Sequence, residues 1–210
     1  MGRFLIDAAG YDYPRTPIGM DVILPGTRAI EFNVERDVHT VIQTHLHNLN
    51  RIFMDQAKSF RFKSKVAAST AANNNDTKTP QFIGLPDNVL DSEVLSFIED
   101  KTSNDLPVRH CVTGQLFDLL TIYKEDVIHN QTGSSRELDG RRDVCHLMNQ
   151  VYGYMALNNL TYGCVTCYDV TYFLWRPIRG TLHITPPVHN QSIAPTLMQA
   201  LYYFVIIVLT

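Results

Sequence analysis

A short apolar segment that ends in three charged residues constrains the fold of this chain more than any other part of its sequence. Residues 93–98 read Glu-Val-Leu-Ser-Phe-Ile, an apolar and partly β-branched run that predicts a β-strand. Side chains alternate between the two faces of a strand, so Glu99 and Lys101 are expected on one face and Asp100 on the other. Because buried charges are costly without partners, we expect a polar site at the end of this strand.

An acidic residue upstream of the strand extends this pattern. Asp87 follows a proline, and eleven residues separate it from Glu99. If the chain turns near Ser92 to form an antiparallel hairpin, Asp87 lies opposite Phe97 and one diagonal step from Glu99. Two carboxylates at that separation repel unless a cation lies between them, and their oxygen atoms suit a hard divalent ion such as Mg²⁺. Lys101 beside such an ion could hold a phosphate or a water molecule.

The order of these residues resembles a known signature. Pro86-Asp87, eleven residues and then Glu99-Asp100-Lys101 resemble the motif of the PD-(D/E)xK nucleases. Gln150 and Tyr154, four apart on a predicted helix, resemble the additional QxxxY motif of the exonuclease-like branch of that superfamily. The resemblance implies that Gln150 hydrogen-bonds the substrate or a metal-bound water, and that Tyr154 positions it.

Three further runs make the resemblance more specific. They are Tyr-Gly-Tyr-Met at 152–155, Tyr-Gly-Cys-Val-Thr at 162–166 and Tyr-Phe-Leu-Trp-Arg at 172–176. Together they are similar to the nuclease-like domain of crinkler-type and kinase-fused proteins of fungi and oomycetes. The resemblance covers residues 80–205 and implies an α/β fold with a restriction-endonuclease-like core, in which helices flank a mixed central sheet.

The resemblance also implies a function and a set of site residues. The expected activity is metal-dependent hydrolysis of phosphodiester bonds in nucleic acid, with DNA favoured over RNA. The expected catalytic residues are Asp87, Glu99, Lys101, Gln150 and Tyr154. Asp87 and Glu99 would bind Mg²⁺ or Mn²⁺ with the backbone carbonyl of Asp100, and Lys101 would orient the attacking water.

Two other functions stay open at this point. One is a non-catalytic member of the nuclease fold that serves as an effector or interaction module, since a fold does not fix a function. The other is the front domain of a truncated kinase-like protein. The sequence has no glycine-rich phosphate loop and no His-Arg-Asp catalytic loop, so kinase activity of this chain itself is not expected.

The net charge of −3 indicates that any phosphate binding depends on a local patch. The densest basic cluster alternates with aromatic residues, as surfaces for single-stranded nucleic acid do. Its members are Lys58, Arg61, Lys63 and Lys65. An exposed helix end that runs into a loop explains the same cluster equally well.

Composition also bears on location. Four cysteines without regular spacing suit a reducing compartment, and the apolar run at the N-terminus is too short for a signal peptide. The apolar residues near the C-terminus are too few to span a bilayer. We therefore expect an intracellular protein, with the nucleus as one option, that binds nucleic acid and no membrane.

The chain divides into an irregular segment at 1–28 and one nuclease-like domain at 29–210, with a flexible loop at 66–79. Hydrophobic periodicity predicts helices and strands in the rest of the domain. The expected helices cover 29–58, 108–127, 137–159 and 194–209, and the expected late strands cover 162–168, 171–176 and 181–185. Ser192 is the expected cap of the last helix, with Pro195 in its first turn, and Pro186-Pro187 is expected to end the sheet.

Histidines and cysteines could in principle form a metal site. His39, His45 and His47 are spaced so that no two rings share a helix face, so we expect ordinary histidines on the polar face. Cys164 and Cys167 lie on a predicted strand and point to opposite faces, so buried structural residues are expected rather than zinc ligands.

Overall fold

The computed structural model describes residues 7–8, 35–55, 60–64, 82–86, 94–101, 106, 119–120, 123, 144–167 and 169–210. Ten elements within these ranges have defined bounds. In chain order they are α1 (Glu35–Asp55), β1 (Phe60–Ser64), β2 (Phe82–Pro86), β3 (Ser96–Asp100), α2 (Val144–Leu157), β4 (Tyr162–Thr166), β5 (Val170–Trp175), β6 (His183–Ile184), β7 (Val188–His189) and α3 (Leu197–Leu209). Apart from Asp7 and Ala8, the segments at 1–28 and 66–79 lie outside the described residues.

The seven described strands form one mixed sheet, which confirms the expected α/β class. The strand order is β1-β2-β3-β4-β5-β6, and β7 pairs with β5 beyond the end of β6. β3 and β4 are parallel, whereas the other neighbouring strands run antiparallel. A parallel pair needs a long crossover connection, and α2 lies in the connection between β3 and β4.

Two apolar cores lie on opposite faces of this sheet because buried side chains alternate along the strands. On β3, Ile98 packs with α1 and α3, whereas its neighbour Phe97 packs with α2. The rings of Phe53 on α1 and Tyr202 on α3 stack at 5.4 Å, which joins the two helices on their shared face. Each fully buried side chain of this size contributes about 1.5–3 kcal/mol, so the sheet is stabilised from both sides.

Helix α1 lies within the predicted range of 29–58, of which 29–34 and 56–58 fall outside the described residues, and its buried stripe follows the predicted period. Leu46, Leu49 and Phe53 recur at three- and four-residue steps and are fully or almost fully buried. The Asn50 amide beside this stripe bonds both backbone groups of Phe62, donating to the carbonyl oxygen at 3.0 Å and accepting from the N–H at 2.8 Å. This pair of hydrogen bonds fixes β1 against α1.

A glycine allows the close approach of β4 to an aromatic ring of β3. Gly163 lies opposite Phe97 in the parallel pair. A Cβ atom at position 163 would collide with the Phe97 ring. The ring therefore occupies the space that a side chain would fill on β4. The same ring contacts that of Tyr154 on α2, with 5.1 Å between centroids.

Helix α3 begins later than predicted, and its cap is a different residue. Thr196, not Ser192, is the N-cap, and Pro195 precedes the helix instead of lying in its first turn. The Thr196 hydroxyl accepts from the Gln199 N–H at 3.2 Å, and the Gln199 side chain accepts from the Thr196 N–H at 2.9 Å. This reciprocal capping box satisfies two backbone donors at once, an advantage that Ser192 lacks because it has no partner three residues ahead.

The sheet continues beyond the two prolines that were expected to end it. Pro186 and Pro187 interrupt the hydrogen-bond ladder because proline has no N–H to donate. Pairing resumes at β7, where Val188 lies opposite Thr171. The predicted strand at 181–185 is correspondingly reduced to the two residues of β6, and the prediction that the sheet ends at the prolines is wrong.

Candidate functional site

The β2–β3 hairpin has a different register from the one expected. Ile83, not Asp87, lies opposite Phe97, and Gly84 lies opposite Ser96. The expected register is therefore wrong by four positions. The expectation that Asp87 lies one diagonal step from Glu99 was derived from that register and no longer follows. Asp87 itself lies outside the described residues.

Glu99 and Lys101 form a largely buried ion pair at the end of β3. The Lys101 Nζ lies 2.7 Å from the Glu99 Oε1, and the two side chains are 16% and 6% exposed, respectively. This contact confirms that the two residues share a strand face, as the alternation predicts. A separation this short is typical of a charge-assisted hydrogen bond, so Lys101 offsets the negative charge of Glu99.

Asp100 occupies the opposite face, where it binds a residue of α1. Its Oδ2 lies 3.0 Å from the Nδ1 of His39, and the Asp100 side chain is fully buried while His39 is 26% exposed. The Lys101 N–H donates to the carbonyl of Thr166 at 2.8 Å, which holds the end of β3 against β4. The Asp100 carboxylate thus connects the first helix to the central strand and points away from Glu99.

The expectation that His39 is an ordinary histidine on the polar face is wrong. His39 lies three residues before Ile42 and seven before Leu46, so it extends the buried stripe of α1. That spacing was a signal in the sequence, because a polar residue in line with an apolar stripe faces the core and needs a partner there. His47 is exposed as expected, whereas burial lowers the pKa of His45.

Helix α2 places Tyr154 next to the Glu99 side of the sheet. Its ring packs edge to face against Phe97, which shares a strand face with Glu99. Burial, and then the negative charge of Glu99, raise the pKa of Tyr154 to about 12. Gln150 is half-buried one turn earlier on α2, and its four-residue spacing puts it on the same side of the helix as Tyr154.

The raised pKa of Tyr154 predicts a specific alkaline titration. Its phenol should ionise near pH 12 in the folded protein and near 10 in the unfolded chain. The stabilisation that this group contributes is therefore complete below pH 10 and is lost as pH rises towards 12. In an ultraviolet absorbance titration of the tyrosines, we expect the Tyr154→Phe variant to lack one high-pH transition that the wild type shows. An identical titration curve for the variant and the wild type would contradict this assignment.

The described part of the basic cluster is a strand, not a helix end, and its aromatic rings are buried. Residues 60–64 form β1 at one edge of the sheet, and Phe60 and Phe62 are buried, so these rings are not available for base stacking. Arg61 pairs with Leu85, and Lys63 pairs with Ile83. The side chains of these two basic residues, and all of Lys58 and Lys65, lie outside the described part of the chain.

Among the described residues, Glu99 is the side chain expected from the sequence to bind a hard divalent ion. Glu99 offers a carboxylate oxygen of the kind that Mg²⁺ prefers. No group of three His, Cys, Asp or Glu side chains within the described ranges is arranged to hold a metal ion. Because the Asp100 carboxylate faces His39, it points away from an ion at Glu99, and the backbone carbonyl is the Asp100 group that the sequence predicts as a ligand. Mg²⁺ is commonly held by one or two carboxylates together with water molecules, and Asp87, the second carboxylate expected from the sequence, lies outside the described ranges.

The two cysteines of the CxxC sequence are structural, as expected. Cys164 belongs to the core under α1 and α3, and Cys167 to the core under α2. Both are free thiols, and burial raises the pKa of each, in the case of Cys167 to about 12. Thiols that stay protonated at neutral pH are poor nucleophiles.

Comparisons of the chain with protein-family models, curated proteins and solved structures find no match. In the described parts of the chain, the helices are too short or too polar to cross a membrane.

Proposed function

We propose that this protein hydrolyses phosphodiester bonds of nucleic acid, with DNA as the first substrate to test, in a metal-dependent reaction at the end of β3. The observation that carries the proposal is the buried Glu99–Lys101 pair on a central strand. Hydrophobic residues can often replace a buried ion pair without loss of stability. Charged residues in such a position therefore favour a chemical role over a purely structural one.

The architecture supports the same proposal. The order α1-β1-β2-β3-α2-β4 places helices on both faces of a mixed sheet, as the restriction-endonuclease-like core implied by the resemblance requires. The strand with the charged end is central in this sheet, and the helix that carries Gln150 and Tyr154 covers the same face as Glu99. Tyr154 thus packs against the strand that carries Glu99, which supports the proposal.

Each residue has a defined task in this reaction. Glu99 binds the divalent ion, which supplies Lewis acidity and a more acidic bound water when present. Lys101 offsets the charge that develops on the phosphate oxygens. Tyr154 keeps its proton at neutral pH and donates it in a hydrogen bond, while Gln150 orients the substrate from the same side of α2.

Metal dependence is the direct test of this proposal. We expect the purified protein to cleave linear or circular DNA, or an RNA strand, in millimolar Mg²⁺ or Mn²⁺. Excess EDTA should abolish cleavage, and added Mg²⁺ should restore it, because the reaction needs the ion at Glu99. Cleavage that persists in EDTA, or no cleavage of any of these substrates with either ion, would overturn the proposal.

A non-catalytic binding module is the second candidate. The observation that favours it is the short Glu99–Lys101 contact, which balances the charge of Glu99 without a metal ion. This module would bind nucleic acid equally well in EDTA and in Mg²⁺ and would leave it intact. Binding measured by fluorescence anisotropy, alongside the cleavage assay, separates the two candidates.

A further inference from the structure

A row of aromatic side chains crosses three strands at the end of the sheet opposite to Glu99. Tyr162 at the start of β4 lies opposite Trp175 at the end of β5, and Trp175 lies opposite His183 on β6. Residues paired directly across strands project from the same face. The rings of Trp175 and His183 stack with centroids 4.9 Å apart and planes at 26°. We name Tyr162, Trp175 and His183 the aromatic row.

The aromatic row is partly accessible to solvent. His183 is exposed, and Tyr162 and Trp175 are half-buried. Ile178 in the turn that follows Trp175 is 66% exposed, which adds apolar surface to that turn. A half-buried ring held by a neighbouring strand keeps its orientation while leaving part of its surface for a ligand.

The turn after β5 is held in place and carries positive charge. The Arg176 Nε donates to the Leu160 carbonyl at 3.0 Å, and the Gly180 N–H donates to the Tyr152 hydroxyl at 2.6 Å. Gly180 has φ +83°, a conformation that glycine adopts without strain. Arg179 in the same turn is exposed, so its charge is available at the surface.

The charge around this turn is one-sided. From residue 144 to residue 210 the sequence contains a single acidic residue, Asp169, and two basic ones besides histidine, Arg176 and Arg179. Asp169 lies just before β5, whereas both arginines follow the end of that strand. The turn that follows Trp175 in the chain therefore carries positive charge, although the chain as a whole carries −3.

We propose that the aromatic row and Arg179 form a binding surface for single-stranded nucleic acid. Unpaired bases expose flat faces that stack on aromatic rings, and arginine side chains next to the rings contact the phosphates. A duplex hides its base faces, so it does not meet the same chemistry. The surface is separate from the proposed cleavage site, because β3 runs about 13 Å from its Ser96 end, next to Tyr162, to Asp100.

Trp175 provides a site-specific signal because it is the only tryptophan in the chain. We expect a short oligo-dT strand, added in EDTA so that no metal-dependent cleavage occurs, to change tryptophan emission in a saturable way. The apparent Kd should rise with salt concentration, because phosphate contacts release counterions. An oligo-U strand in a parallel titration shows whether the surface prefers DNA or RNA, and saturable binding of either supports the proposal.

Three variants and a competitor make the proposal falsifiable. His183→Ala, at an exposed position, should weaken binding by roughly fivefold or more, the scale of one lost stacking contact. Arg179→Ala should lower the slope of log Kd against log salt concentration by about one, as expected for the loss of one phosphate contact. Arg51→Ala removes the same charge from an exposed site on α1 and should change Kd less than twofold. Three results would overturn the proposal. One is an equal loss of affinity in all three variants, and another is unchanged tryptophan emission while anisotropy reports binding. The third is a change of emission with heparin as large as that with the oligonucleotide. None of these readouts depends on cleavage.

Discussion

Glu99→Gln and Lys101→Ala are each expected to lower the rate of metal-dependent cleavage by about a hundredfold or more. Glu99→Gln keeps the size of the side chain and removes the charge that would bind the ion in the proposed reaction. Lys101→Ala removes the ammonium group that would face the phosphate. Loss of one electrostatic contact to a transition state commonly lowers the reaction rate by a factor of this size. Rates measured at saturating Mg²⁺, with folding checked by circular dichroism, provide the test. Asp87→Asn in the same assay tests the candidate for the second ligand.

Asp169→Asn is a matched control for the loss of a carboxylate. Asp169 lies in the turn between β4 and β5, where its Oδ1 accepts from the Asn190 side chain at 3.3 Å. We expect this variant to keep its cleavage rate within a few-fold of the wild type. A loss at Asp169 as large as that at Glu99 would mean that general electrostatics, and not a site at the end of β3, govern the activity.

His39→Ala is expected to lower the free energy of unfolding by about 2–3 kcal/mol, because it leaves the buried Asp100 carboxylate without the imidazole that binds it. For a chain of this length, such a change corresponds to a fall in Tm of roughly 5–10 °C. Because His39 is partly exposed, we expect a smaller loss of stability than for a fully buried ion pair. Urea denaturation of the wild type and the variant provides the measurement.

Two further variants identify the cause of that loss. His47→Ala alters an exposed histidine of the same helix and should change stability by no more than about 0.5 kcal/mol. The double variant His39→Ala/Asp100→Ala should lose less free energy of unfolding than the sum of the two single variants. The reason is that Asp100→Ala removes the buried carboxylate that His39→Ala leaves without its imidazole. Additive losses, or equal effects at His39 and His47, would show that the His39–Asp100 contact does not stabilise the fold.

Local patterns in the sequence predicted the elements that carry the candidate site. The charged end of β3 and the face that Glu99 shares with Lys101 follow from strand alternation, which needs no information about distant residues. The buried stripe of α1 and the position of Tyr154 on α2 follow in the same way from the helical period. These predictions depend only on neighbours within one or two turns.

Contacts between distant segments could not be predicted in this way. β3 is buried on both faces, so its apolar pattern does not select one register with β2, and the position of the turn was inferred from too few residues. The contact between His39 and Asp100 joins residues 61 positions apart, which no local pattern encodes. The cap of α3 is an intermediate case, because the Thr196–Gln199 spacing was present in the sequence and identifies the correct residue.

The contact of Gly163 with the ring of Phe97 has a consequence for sequence divergence. Because a side chain at position 163 would occupy the place of that ring, a substitution at one position is tolerable only with a compensating change at the other. The Phe97 ring also supports Tyr154, so the compensation extends to α2. Positions 97, 154 and 163 are therefore expected to evolve as one unit: chains that gain a side chain at 163 should carry a smaller residue at 97 and a different aromatic partner at 154.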